Sequence, residues 1–159
     1  MFEKIIKSHF YSSILLISFL IIISALFIEH VLSIPACKLC LYQRIPYIFS
    51  IIICFLGFFF SKNKILLYLL ILVFLSSVIL SGYHIGIENN IFVEFSGCTN
   101  NSLGTIDKKE LLLSLNNSLP NCKDVNFKVF GLSLATINFI FSIALILITI
   151  RHLYNENYR

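Results

Sequence analysis

The chain has 159 residues, 58% of them hydrophobic and 13% charged, with a formal net charge of +4 and a mean hydropathy of +0.91. A soluble domain carries about 25% charged residues, so this composition excludes an ordinary water-soluble fold. The basic residues stand in small groups between apolar blocks, a pattern that orients a membrane protein and makes no case for nucleic acid.

Four apolar blocks follow in order, at about 10–28, 45–60, 65–87 and 129–150. A helix needs about 20 apolar residues to cross a bilayer, and continuous runs without strict alternation favour helices over barrel strands. The expected fold is therefore all-α: one integral membrane four-helix bundle over residues 1–159, embedded in a lipid bilayer. Lys4 and Lys7 precede the first block, and Glu29 and His30 follow it. Pro46 suits the first turn of the second, where a missing N–H is harmless. The first block also resembles a signal peptide, with a faint lipoprotein-like site at Ile34-Pro35-Ala36-Cys37. It is long for a signal core, however, and Glu29-His30 separates it from that site.

Four crossings put both termini on one side. Lys and Arg number six on each side, but one six is packed into about 24 residues and the other spread over about 56. Because the orientation rule is counted over short loops near span ends, the termini and the Lys62/Lys64 turn are expected in the cytoplasm. The loop at about 88–128 then faces outward. Within it, Asp107 and Glu110 form a capping-box pattern ahead of Leu111, Leu112, Leu115 and Leu119, and Pro120 closes the run. A short outer-loop helix lying on the membrane surface is one reading and an irregular loop the other.

Of five cysteines, Cys54 lies inside an apolar run and reads as a small packing residue. Cys37-Lys38-Leu39-Cys40 is the sharpest motif. Such a pair can form a reversible disulfide tuned by its surroundings. A structural zinc site would need two further ligands, for which His30, Cys98 and Cys122 are candidates; the redox reading is preferred and no metal is expected. Arg44 lies four residues after Cys40, on the same face if the helix is continuous. A cation there favours thiolate and can donate to a carbonyl oxygen of a lipid-borne acceptor, or simply reach into the headgroups. Cys98 and Cys122 are separated by 23 residues of the outer loop. A bridge between them would restrict the unfolded loop by about 3.5 kcal/mol as a structural staple, or would exchange with a soluble thiol protein. His84, beside Tyr83 and Glu88 at the outer end of the third block, is placed to handle protons or to serve as a structural hydrogen-bonder.

The run Cys37-Lys-Leu-Cys40-Leu-Tyr-Gln-Arg44-Ile-Pro-Tyr47 resembles the C-x-L-C-x-Y-Q-R signature of the DsbB/DsbI disulfide bond formation family. Further matches are Gly82-Tyr83-His84-Ile-Gly86-Ile-Glu88, Gly97-Cys98, Pro120-Asn-Cys122 and Phe130-Gly131-Leu132-Ser133-Leu134-Ala135 through Asn138. The resemblance implies a four-helix protein of the bacterial inner membrane that reoxidises a periplasmic DsbA-like thioredoxin-fold partner and passes electrons to the membrane quinone pool, as ubiquinone or menaquinone. It further implies that Cys98–Cys122 oxidises the partner, Cys37–Cys40 reoxidises that pair, Cys40 faces the quinone, and Arg44 holds it; His84, from its own chemistry and position, is a second cofactor-binding candidate. The Tyr-His-x-Gly-x-Glu form is similar to the DsbI branch. The segment after Cys122 reads Lys-Asp-Val-Asn-Phe, where many relatives carry a tryptophan, and the chain has no Trp. Vitamin K epoxide reductase-like proteins share the plan but place the loop pair before the C-x-x-C, the reverse of the order here. Two other readings remain open: a non-catalytic membrane assembly protein with a stapled loop, and a metal-binding membrane protein.

Overall fold

In the computed structural model the described residues are 2–60, 64–93, 122–123, 128–129 and 131–157. They form α1 (Phe2–His30), α2 (Lys38–Tyr42), α3 (Ile45–Phe59), α4 (Ile65–Glu88), a two-stranded hairpin of β1 (Lys128–Val129) and β2 (Leu132–Ser133), and α5 (Leu134–Asn157). Four helical segments among them are long and apolar enough to cross a membrane: His9–His30, Lys38–Phe59, Ile65–Glu88 and Leu134–Asn155. Cys98 and the expected outer-loop helix from Asp107 lie outside the described residues.

α3 packs against both α1 and α4, and α4 packs most extensively against α5. The core holds Tyr11, Ile14, Tyr47, Cys54, Leu67, Leu70, Phe74 and Leu145, while large apolar side chains such as Phe19, Phe55, Leu72 and Leu147 face outward. That inversion is stable only where the surroundings are lipid. Small hydroxyl residues join the helices: Ser50 donates to Ser18 across α1 and α3 at 2.8 Å, and Ser77 and Ser142 meet across α4 and α5 at 2.8 Å. Near the far end from the cysteines, Gly57 lets α3 approach the Tyr11 ring; a Cβ there would lie 2.7 Å from it.

Three local features set the other end of the bundle. α1 closes through Val31 and Leu32, both bonded to the Phe27 carbonyl, and turns at Ser33 with φ 54. The second crossing departs from a single run: α2 begins at Lys38, and the helix breaks between Tyr42 and Ile45. Pro46 supplies no N–H to the Tyr42 carbonyl, so the ladder cannot continue through it. The fourth crossing starts at Leu134 instead of Val129 and runs on to Asn157. Gly131, at φ 82, turns the β1–β2 hairpin back on itself, and Ser133 Oγ accepts from the Thr136 N–H at 3.2 Å to start the helix.

Candidate active site

Cys37 ends the extended segment after α1 and caps α2, its sulfur accepting from the Cys40 N–H at 3.2 Å. One helical turn separates the two cysteines, so their sulfurs meet at 2.8 Å as free thiols. A disulfide needs about 2.05 Å; the pair is therefore poised within a small side-chain rotation of bonding. The Cys40 thiol, by donating to Cys37, holds the Cys37 thiol well below its usual range. Burial opposes the shift, and His84 and the Cys40 N–H add to it.

His84 comes from the last turns of α4 and is buried. Its Nε2 lies 3.8 Å from Cys37 Sγ, 3.2 Å from the Cys122 carbonyl oxygen and 3.8 Å from Glu88 Oε1. Cys122 is disulfide-bonded and buried, and packs in one cluster with Cys37, Leu39 and Ile87. The chain reversal after α4 supports this arrangement. Gly86 accepts from Ile91 and Phe92, and the Phe92 ring lies over it, where a Cβ would approach to 2.1 Å.

Arg44 sits in the break between α2 and α3, so it does not share one continuous helix with Cys40 as expected. Nor is it a lone cation: its guanidinium pairs with Glu29 Oε2 on α1 at 2.6 Å. Both still line the same cavity as Cys37, Cys40 and His84. That cavity has a volume of about 580 Å³ and lies between the second half of α1 and the first turns of α5. α1 and α5 touch at their opposite ends, where Phe10 stacks on His152 at 3.9 Å. Apolar side chains from Ile17 to Ile28 and from Leu134 to Phe141, with Ile34, Pro35 and Ala36, make up more than half of its lining residues. A mostly apolar pocket with a few convergent polar groups suits a flat, hydrophobic ligand with polar atoms.

Three further cavity residues escaped the sequence reading: Gln43, Tyr47 and Asn138. Gln43 Nε2 lies 3.1 Å from His84 Nδ1, Asn138 Nδ2 donates to Gln43 Oε1 at 3.2 Å, and Tyr47 donates to Asn138 Oδ1. An amide inside the apolar run 134–150 was the available signal for Asn138; Gln43 and Tyr47 stand within the cysteine motif but carry no chemistry that spacing alone would single out.

The sequence profile described as "Disulfide bond formation protein DsbB" matches residues 7–151. The chain is also 28% identical over 137 residues to the uncharacterized protein RP370 of Rickettsia prowazekii (strain Madrid E), covering 82% of this chain and 78% of that one. Disulfide oxidoreductase chemistry and a multi-pass membrane location go with the matched family. On nearly its whole length, the chain belongs to the DsbB disulfide bond formation family.

Proposed function

We propose that the chain is a thiol:quinone oxidoreductase of the bacterial inner membrane that reoxidises a periplasmic DsbA-like thioredoxin-fold protein. The observation that carries the reading is the opening of the Cys37–Cys40 pair onto a largely apolar cavity that also holds Arg44, with Cys122 packed in one cluster with Cys37. A ubiquinone or menaquinone head group fits the chemistry of that wall: Arg44 would hold it by donating to a carbonyl oxygen, and Cys40 would be the thiol that faces it. When bound, the quinone supplies the two-electron acceptor that returns the dithiol to a disulfide.

The chain's own steps are thiol–disulfide exchanges. A partner thiolate attacks the Cys98–Cys122 disulfide, and the partner's second thiol resolves the mixed disulfide, leaving both loop sulfurs reduced. The Cys122 thiolate then attacks Cys37 of the oxidised pair, and the electron pair of the broken bond goes to Cys40. Cys98 next attacks Cys122, restoring the loop disulfide and leaving Cys37 as a thiolate. His84 stands beside both Cys37 and Cys122 and faces the charge that appears on Cys37.

The test uses purified protein, a quinone and a reduced thioredoxin-fold partner. Quinone reduction is expected to vanish in Cys37→Ser and Cys40→Ser; its survival in either would overturn the relay. One observation favours a second reading: the ligand atoms of Cys37, Cys40 and His84 lie within 4.8 Å of one another, a spacing that could hold a soft metal ion. Stoichiometric metal in the purified protein, lost in Cys40→Ser, would support that reading over the relay.

A further inference from the structure

His84 Nε2 meets two groups that only accept, the Cys122 carbonyl at 3.2 Å and the Glu88 carboxylate at 3.8 Å, and the Cys37 sulfur at 3.8 Å, which accepts as a thiolate. A carbonyl cannot donate, so the ring hydrogen belongs on Nε2, and in the neutral ring Nδ1 is left as an acceptor. That choice propagates. Gln43 must turn its NH₂ toward Nδ1, its oxygen then accepts from the Asn138 amide, and the Asn138 oxygen accepts the Tyr47 hydroxyl. The Tyr47 oxygen in turn lies 2.9 Å from Ser142, which lies 2.8 Å from Ser77. Gln43, Tyr47, Ser77, Ser142 and His84 are all buried.

We infer that Tyr47, Asn138 and Gln43 are positioning residues, a one-directional hydrogen-bond chain that holds His84 in its Nε2–H tautomer so that the N–H faces Cys37. Moving the hydrogen to Nδ1 would require both amides to turn over and the Tyr47 hydroxyl to reverse, in a chain whose Gln43, Tyr47 and His84 are buried and whose Asn138 is half-buried, where each unmade bond is costly. The inference rests on the reading that Cys37 exchanges disulfides. When Cys37 is the leaving sulfur, the attacking thiolate bonds to the other sulfur and the electron pair of the broken bond stays on Cys37 Sγ. There it is met by His84 Nε2–H and the Cys40 N–H, with no net proton transfer. Cys40 and Glu88 are the other titratable groups around this pair, and Arg44, paired with Glu29, lines the same cavity.

The experiment is ¹⁵N-histidine NMR of the full chain in nanodiscs, with the His84 signals identified by their loss in His84→Gln. Wild type is expected to show a protonated Nε2 and a bare Nδ1. Gln43→Glu and Asn138→Asp each place an acceptor-only group in the chain and are expected to move the hydrogen to Nδ1. Tyr47→Phe, which adds no charge, is expected to give a mixture of tautomers. Exchange of Cys37 with oxidised glutathione should slow by roughly tenfold in Gln43→Glu and by less in Tyr47→Phe. A wild-type ring protonated on Nδ1, a tautomer unchanged in all three variants, or a shifted tautomer with unchanged exchange would each overturn the inference. Quinone reduction is scored separately, so failure of the thiol:quinone reading shows there and leaves the tautomer result standing.

Discussion

Cys37 caps α2 and, under the proposed function, is also a reactive thiol. The Cys40 thiol and N–H, together with His84, favour its thiolate against the opposing effect of burial. Because the thiolate is the nucleophile, alkylation of the reduced protein by iodoacetamide at Cys37 should stay nearly constant as pH falls below the ordinary thiol range. It should drop only when pH passes the depressed pKa. The same shift stabilises the folded reduced form above the unfolded thiol pKa and loses that contribution as pH falls, which makes the Cys37–Cys40 disulfide the more oxidising. A rate that instead declines tenfold per pH unit from about pH 8.5 would contradict this. Cys54 is the contrasting case, a free thiol fully buried among apolar side chains. Cys54→Ala should lower stability by about 1 kcal/mol in a denaturant titration and leave partner oxidation unchanged. Arg44 belongs with the cavity: Arg44→Gln removes the cation and leaves the Glu29 carboxylate without its guanidinium. Under the proposed function the KM for quinone should rise about tenfold or more, with Arg44→Lys intermediate because a point charge lacks the bidentate fork.

The helices meet where a side chain is missing. The α1–α3 contact depends on Gly57, since a Cβ would enter the Tyr11 ring at 2.7 Å, and Tyr11 is itself buried. Gly57→Ala should destabilise the protein by about 1–3 kcal/mol as an overpacking change, read as a fall in melting temperature in detergent. Its effect should be on stability rather than on the cavity chemistry, which lies at the other end of both helices. Gly86 sits under Phe92 at the close of α4, two residues beyond His84. There a methyl group displaces the chain reversal beside the site, so Gly86→Ala should lower activity as well as stability. The start of α5 follows the same local physics: Ser133 is the cap, and the residues before it form the hairpin rather than helix.

For the whole molecule, orientation is the property on which the proposed relay depends. Glu29, Cys37, Glu88 and Leu134 gather around one cavity, whereas Phe10 and His152 stack at the opposite end. With the five native cysteines replaced by serine, a single cysteine at Asn89 should react with a membrane-impermeant maleimide added to intact cells, and one at Asn155 only after permeabilisation. The opposite pattern would reverse the proposed cytoplasmic placement of the termini and remove the cysteines from the oxidising compartment.

The four spanning helices were legible in the sequence because they are local: the length of an apolar run decides whether a segment can cross a bilayer with its backbone satisfied. The C-x-x-C pair was legible for the same reason, its geometry being set by one helical turn. Pro46 was read correctly as standing in the first turn of its helix, while the Ser133 cap carried a local signal that the broad apolar block obscured. Contacts between elements were not legible. Gln43 meets His84 41 residues away and Asn138 95 residues away, and Arg44 meets Glu29 across a turn and a helix break. Hydropathy reports that a residue is removed from water, but hydrogen-bond direction and ion pairing depend on which atoms packing brings within about 3 Å. The sequence by itself therefore determined the membrane fold and the redox motif. Only the tertiary structure decided that Arg44 is paired, that His84 lies beside Cys37 and Cys122, and that Gln43 and Asn138 link it to Tyr47.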